Sequence, residues 1–160
     1  QTASPDDAAL ALRGLRTLGV RLSQHARHAL AVAQWLQRRP EVARVFHPAL
    51  PDDPGHALWR RDFKGCNGLL ALELRERSAA RRDALVDALQ LFAIGASWGG
   101  YESLVIPVEP EGARSVSDWS GRGACLRLHV GMEDQADLIA DLAQAFDRIA
   151  PQAGHEGAGR

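Results

Sequence analysis

The chain has 160 residues, of which 24% are charged, and its acidic and basic side chains nearly cancel to a net charge of −1. A chain of this length is one domain that can bury a core without disulfides or metals. The balanced charge argues against nucleic acid or a membrane surface as a partner, so we expect small molecules or other protein surfaces instead.

The sequence predicts a cytoplasmic location. Cys66 and Cys125 are the only cysteines, and their spacing fits neither a metal site nor a redox motif, which indicates free thiols in a reducing compartment. No apolar run reaches transmembrane length, and no basic-then-apolar leader is present.

The start of the chain predicts one long helix or two abutting helices. Ser4 precedes a proline and two acidic residues, which is typical of a helix start. Apolar residues then recur at helical spacing over residues 8–36. Gly14 and Gly19 each weaken a helix by about 1 kcal/mol relative to alanine, so a break between two helices is as plausible as continuity. A stripe this long needs a large surface to pack against.

Strands and helices alternate along the rest of the chain. The pattern predicts a strand at 42–46, a short helix at about 55–62, a strand at 69–74, a helix at about 79–91, a short apolar run to residue 106, an exposed loop at 107–123, a strand around residue 127 and a last helix at about 134–149. We therefore expect an α+β fold, with a small sheet covered on one face by helices. The tail from residue 151 lacks apolar anchors and is predicted to be disordered.

Two runs carry most of the functional information. Residues 95–104 read GASWGGYESL, so Ser97 and Trp98 come directly before paired glycines, which is typical of a binding loop. Residues 126–134 read LRLHVGMED, where apolar and polar residues alternate as in a strand with one buried face. Arg127 is predicted to point away from the leucine face.

These runs resemble the C-terminal part of the pyridoxal-phosphate enzymes of cysteine and methionine metabolism. The resemblance extends to LRGLRTL at 12–18, HPALP at 47–51 and WRRDF at 59–63, and it is collinear over roughly residues 4–150. It implies the small C-terminal domain of a fold-type-I pyridoxal-phosphate enzyme, with a mostly antiparallel sheet. Residues 1–38 would be an interdomain helical segment at the end of the large domain, residues 39–150 the small domain and residues 151–160 a disordered tail.

The resemblance implies a role for three residues in substrate binding. Arg127 would hold the substrate α-carboxylate, because a guanidinium meets a carboxylate with two parallel hydrogen bonds. Ser97 and Trp98 would lie against that carboxylate and shape the pocket. Without the resemblance, an arginine on the polar face of a strand is most often only solvated.

The cofactor implied by the resemblance is pyridoxal 5'-phosphate, but its anchoring residues belong to the family's large domain. Lys64 is the only lysine in the chain, and it lies in a turn-like DFKGC segment, where we expect it to be solvated. We therefore expect a C-terminal fragment with no catalytic, cofactor-binding or metal-binding residue of its own, inactive by itself. Its expected partners are a missing N-terminal large domain and further copies in a homotetramer.

The activity implied by the resemblance is that of a carbon–sulfur lyase of methionine biosynthesis, which cleaves a thioether amino acid to homocysteine, pyruvate and ammonia. Trp98 and His129 favour the members that cleave at Cβ, since members acting at Cγ usually carry leucine and serine there. The γ-acting members and other cysteine C–S lyases remain alternatives.

A serine hydrolase is a rival interpretation from a different class. Residues 95–99 satisfy the G-x-S-x-G pattern, and Asp118 and His129 follow Ser97 in the order of an α/β-hydrolase. The paired glycines and Pro107 leave little room for the helix that this motif requires, so the hydrolase is disfavoured.

Two further interpretations of the chain involve no catalytic activity. His25 and His28 stand three apart and could share a metal, but no third ligand is evident, so a solvated helix face is favoured. The whole chain could also be a packing or oligomerisation domain with an apolar face that awaits a partner.

Overall fold

The structure, a computed structural model, describes residues 2–150. The predicted disordered tail at 151–160 lies outside these residues. Within the described range the elements are, in chain order, α1 (Pro5–Arg16), α2 (Leu18–Leu36), β1 (Val42–Phe46), α3 (His56–Asp62), β2 (Leu69–Leu74), α4 (Ala79–Ala88), β3 (Ala93–Ile94), β4 (Leu104–Val108), a 3₁₀ helix (Pro110–Ala113), β5 (Cys125–His129) and α5 (Gln135–Ile149).

The first helical stretch is divided into two helices. The Ser4 hydroxyl accepts the Asp7 N–H at 3.1 Å and caps α1, as the sequence predicts. Thr17 interrupts the helix with φ −108° and ψ 4°, so the two-helix alternative is correct. No residue of α1 is buried, and Leu10 and Leu15 are 65% and 63% exposed. The apolar stripe of α1 therefore has no packing partner among the described residues.

Five strands form one sheet in the order β1-β2-β5-β4-β3. All neighbouring pairs are antiparallel except β3 and β4, which are parallel. The sequence did not predict β3, which is two residues long, and the predicted loop at 107–123 includes the end of β4 and the 3₁₀ helix. Helix α4 ends at Ala88, three residues before the predicted end, because the Asp141 carboxylate accepts the N–H groups of Gln90 and Leu91 and holds them in a turn.

The helices cover one face of the sheet, which confirms the predicted α+β fold. Helices α2 and α4 contact the sheet, and α5 packs against both of these helices. Inward-facing side chains of the strands meet the helices in a continuous core that includes Leu70, Leu72, Val105, Leu126, Leu128, Leu138 and Phe146. Alternation along β5 places Arg127 on the opposite face. No helix within residues 2–150 has the length and apolarity needed to cross a bilayer.

Candidate functional site

Arg127 occupies the middle of the central strand β5. Its register partners are Ala71 on β2 and Ile106 on β4, so small or apolar neighbours flank it on the face without helices. The guanidinium Nη2 donates to the carbonyl oxygens of Ala96 at 2.7 Å and Ser97 at 3.3 Å. Its Nε is buried and has no hydrogen-bond partner among the described residues. The arginine thus holds the 95–104 loop while part of its donor set is unused.

Trp98 and Ser97 lie beside this guanidinium. The Cζ of Arg127 is 5.9 Å from the centroid of the Trp98 ring, at the outer limit of a cation–π contact. Trp98 is 61% exposed, and Ser97 is also exposed. The structure therefore brings together the three residues that the sequence singled out.

The loop is held by residues that sequence reasoning missed. The N–H of Gly99 donates to His129 Nε2 at 3.1 Å, and the Gly99 carbonyl accepts from Arg21 Nη1 at 2.7 Å. Glu133 accepts both the N–H and the hydroxyl of Ser103. No sequence pattern pointed to Arg21, which is 78 residues from Gly99 along the chain.

A cleft of about 510 Å³ runs along the open face of the sheet next to Arg127. Its walls are mainly apolar and include Phe46, Ala71, Trp119 and Cys125. Trp119 packs against Phe46 with ring centroids 5.6 Å apart. Burial raises the pKa of the Cys125 thiol, so this cysteine stays neutral at physiological pH. The cleft therefore combines two guanidinium groups, Arg114 and Arg127, and the Glu109 carboxylate with a mainly apolar surface, and its net positive charge suits a small carboxylate ligand with an apolar stem.

The prediction of a solvated face for His25 and His28 is wrong. The two residues are only 2% and 6% exposed, because this side of α2 faces His129 of β5 and the residues that follow that strand. His25 Nδ1 hydrogen-bonds to the Val130 carbonyl at 2.8 Å, and His28 Nε2 contacts the Gln24 amide. Burial lowers the pKa of His28. Within residues 2–150, no three metal-ligating side chains come together.

The hydrolase interpretation is also wrong. His129 Nε2 contacts the backbone of Gly99 and Gly100, and it has no bond to the Ser97 hydroxyl. Asp118 is exposed, and its carboxylate accepts the N–H and hydroxyl of Ser120 at 2.8 and 2.6 Å. These bonds lower the pKa of Asp118. The three residues do not form a triad, and the sheet is mostly antiparallel where the hydrolase motif requires parallel strands.

Lys64 lies exposed in the loop between α3 and β2. The described residues therefore place no lysine amine beside the guanidinium, and they form no site in which an aldehyde cofactor could be bound covalently. The site on this chain fits a carboxylate ligand and does not fit the cofactor itself.

Fold and site together define an α+β domain with helices on one face of its sheet and an arginine and an aromatic loop on the other. A Campylobacter jejuni protein described as an O-acetylhomoserine (thiol)-lyase, whose structure carries a pyridoxyl-lysine monophosphate, has the same fold. The TM-score is 0.79 at 32% identity over 91% of this chain and 33% of that one. Residues 1–147 match the pyridoxal-phosphate-dependent enzymes of cysteine and methionine metabolism, and the chain belongs to this family.

Two curated relatives are similar over almost the whole chain. A cystathionine β-lyase from Bordetella avium is 61% identical over 148 residues, which are 92% of this chain and 37% of that protein. A cystathionine β-lyase from Salmonella typhimurium is 47% identical over 153 residues, which are 93% of this chain and 39% of that protein. The chain thus spans less than two-fifths of the length of these relatives.

Proposed function

We propose that this chain forms the substrate-carboxylate side of the active site of a cystathionine β-lyase. That enzyme is a pyridoxal-phosphate-dependent lyase of methionine biosynthesis that converts cystathionine to homocysteine, pyruvate and ammonia. The 61% identity to the Bordetella avium lyase supports this choice over the γ-acting members. In this proposal residues 1–38 are the interdomain helical segment and residues 39–150 the small domain. The rest of the polypeptide supplies the cofactor site, and the complete enzyme is a cytoplasmic homotetramer.

The observation that carries the proposal is the position of the Arg127 guanidinium. It lies on the open face of the sheet, beside Trp98, and it binds only neutral carbonyl oxygens, those of Ala96 and Ser97. A carboxylate is a stronger acceptor for a guanidinium than a neutral carbonyl is, by about twofold in energy. A substrate carboxylate is therefore expected to compete successfully for these donors.

The chemistry is divided between the cofactor and the protein. Pyridoxal phosphate, when bound, supplies the electron sink for breaking a Cβ–S bond. This chain orients the substrate: Arg127 fixes the carboxylate, and the exposed Ser97 and Trp98 limit the space next to it. Arginine suits this role better than lysine, because its planar fork fixes the direction of the carboxylate as well as its position.

The test measures pyruvate released from L-cystathionine by the complete polypeptide that contains this sequence. We expect Arg127→Lys to lower kcat/KM about 10- to 100-fold, since a hydrogen bond to a charged group is worth about 1.5–3 kcal/mol. Arg148→Lys is the matched control, because Arg148 is exposed on the last turn of α5. It should leave kcat/KM unchanged.

Two results would contradict the proposal in different ways. A wild-type enzyme that releases cysteine and a four-carbon oxo acid would be cleaving at Cγ, which would exclude the β-lyase assignment. Equal kcat/KM values for the Arg127→Lys and Arg148→Lys enzymes would exclude Arg127 from carboxylate binding. The 160-residue chain alone is expected to release no pyruvate.

A further inference from the structure

Gly99 is held at both of its peptide groups by side chains from distant parts of the chain. Its N–H donates to His129 Nε2 at 3.1 Å, and its carbonyl accepts from Arg21 Nη1 at 2.7 Å. Gly99 has φ +82°, a conformation that residues with a side chain rarely adopt. The chain therefore turns sharply directly after Trp98, and the turn is fixed from strand β5 on one side and from helix α2 on the other.

The ring of His129 is a rigid support for this contact. The residue is 1% exposed, and it lies two positions after Arg127 on the same face of β5. A Cβ added at Gly68 would lie 2.8 Å from the ring, so the backbone there packs directly against it. On another side, the His25 ring lies 5.0 Å away, measured between centroids, and His25 is itself bonded to the Val130 carbonyl.

The surroundings of His129 keep its ring neutral, so that Nε2 can accept the Gly99 N–H. Burial lowers the pKa of His129, while the Gly100 carbonyl, which lies 3.3 Å from Nε2 and could bond only a protonated Nε2, raises it. Of the charged and titratable neighbours, His25 on α2 and Arg127 on β5 lower this pKa, and Glu133 after β5 raises it. A neutral ring that accepts the Gly99 N–H at Nε2 carries its proton on Nδ1, which has no partner among the described residues, and it makes no hydrogen bond to the Gly100 carbonyl.

Arg21 links the loop to the junction of the first two helices. Besides Gly99, its guanidinium donates to the Gly14 carbonyl through Nη2 at 2.7 Å and to the Thr17 hydroxyl through Nε at 3.3 Å. Gly14 and Thr17 belong to the last turn and the cap of α1. Three acceptors thus fix the direction of one planar group, and a lysine could not replace it.

The loop needs an attachment that does not depend on Arg127. The guanidinium of Arg127 holds the carbonyls of Ala96 and Ser97, and these are the bonds that a substrate carboxylate would replace. If they were the only attachments, ligand binding would release the loop that shapes the pocket. The contacts at Gly99 use other donors and acceptors, so they persist when Arg127 turns to a ligand.

We propose that Arg21 and His129 are positioning residues that clamp Gly99 and thereby hold Ser97 and Trp98 beside Arg127. Their effect on catalysis rests on the proposed lyase function, whereas the clamp itself does not. Neither residue needs to touch the substrate. Removing either contact is expected to loosen the loop and to weaken substrate binding more than it slows the bond-breaking step.

The first measurement is amide hydrogen exchange, by mass spectrometry, in a peptide that covers residues 95–104. His129→Phe keeps a ring but removes the acceptor, and Arg21→Met removes the donor. We expect each to speed exchange in this peptide about tenfold, the change that loss of one hydrogen bond of ordinary strength allows. His129→Gln supplies an amide oxygen near the position of Nε2 as an acceptor. Exchange in the 95–104 peptide of this variant should therefore stay near the wild-type rate.

Arg16→Met is the matched control for Arg21→Met. Arg16 lies exposed on the last turn of α1 and forms no hydrogen bond or ion pair among the described residues, so exchange in the loop should not change. Exchange in a peptide covering β2, residues 69–74, reports whether each variant is folded. If His129→Phe fails to fold, Arg21→Met decides the question, because Arg21 is only half-buried.

The second measurement is steady-state kinetics of the complete enzyme with L-cystathionine. The two clamp-removing variants should raise KM about tenfold with a smaller fall in kcat, and His129→Gln should restore KM. The clamp would be overturned if the 95–104 peptide of Arg21→Met exchanged at the wild-type rate. It would also be overturned if this peptide exchanged as fast in His129→Gln as in His129→Phe. Altered exchange in an enzyme without lyase activity would instead overturn the proposed function and leave the clamp supported.

Discussion

Glu133 holds Ser103 at two points. Its Oε1 accepts the Ser103 N–H at 2.7 Å, and its Oε2 accepts the Ser103 hydroxyl at 2.8 Å. The same hydroxyl accepts the N–H of Gly131 at 2.8 Å, and Ser103 has no exposed surface. One buried serine therefore joins the end of the 95–104 loop to the turn that follows β5.

Replacing this serine should destabilise the protein. Ser103→Ala leaves the Gly131 N–H and one Glu133 oxygen without a buried partner, which costs about 1–3 kcal/mol for each such group. We expect urea denaturation to show a loss of about 2–3 kcal/mol in the free energy of unfolding. Ser115→Ala is the matched control, because Ser115 is exposed, and it should change stability by less than about 0.5 kcal/mol. Equal values for the two variants would show that the hydroxyl is not a structural acceptor.

A buried carboxylate secures the helical layer. Asp141 on α5 is 5% exposed and accepts the N–H groups of Gln90 at 2.9 Å and Leu91 at 2.8 Å. Asp141→Ala removes both acceptors, so we expect a loss of about 2–4 kcal/mol by urea denaturation. Asp87→Ala, at an exposed position of α4, should have little effect. A small loss in the free energy of unfolding of Asp141→Ala would mean that water replaces the carboxylate as the acceptor.

Leucine-to-alanine substitutions in the sheet and in α1 are expected to have sharply different effects on the free energy of unfolding. Leu128 is fully buried in the core, whereas Leu10 is 65% exposed. Leu128→Ala should lower the free energy of unfolding of the 160-residue chain by about 3–5 kcal/mol, because it leaves a cavity. Leu10→Ala makes the same chemical change and should cost less than about 0.5 kcal/mol in this chain. A large effect at Leu10 would show that the stripe of α1 is covered, for example by a second copy.

His47 should make stability depend on pH. The side chain is 1% exposed, and neither ring nitrogen has a partner among the described residues. Burial lowers the pKa of His47 below its usual 6.5, although Asp53 opposes this. The unfolded state therefore takes up a proton before the folded state does. Stability is complete above pH 6.5 and falls as the pH drops from there toward the lowered folded pKa.

The change in slope identifies the contribution of His47. Between pH 6.5 and the folded pKa, one such histidine contributes up to about 1.4 kcal/mol per pH unit to the free energy of unfolding. His47→Leu should remove this part of the slope, while the curves of variant and wild type run parallel above pH 7.5. His28 and His129, whose pKa values burial also lowers, keep the remaining slope. Identical slopes in the two proteins would mean that His47 does not titrate differently on folding.

Much of the local structure could be predicted from the sequence. Ser4 and Asp134 cap helices, as their side-chain chemistry favours, and alternation along 126–130 correctly placed Arg127 on the face opposite the core. Caps and periodicity are properties of neighbouring residues, so a single sequence contains them. The family could be predicted as well, because its motifs occur in order along almost the whole chain.

Only the tertiary structure decided which residues meet. Strand β3 exists because it pairs with β4, and α4 ends early because a carboxylate from α5 binds the N–H groups of the residues that follow it. His25 and His28 are buried, although their spacing alone also fits a polar helix face. The clamp of Arg21 and His129 on Gly99 joins residues 78 and 30 positions away. The helix caps, the family and the direction of Arg127 follow from the sequence alone, since these depend on local order. The loop's position depends on contacts that form only when helices, sheet and turns pack together.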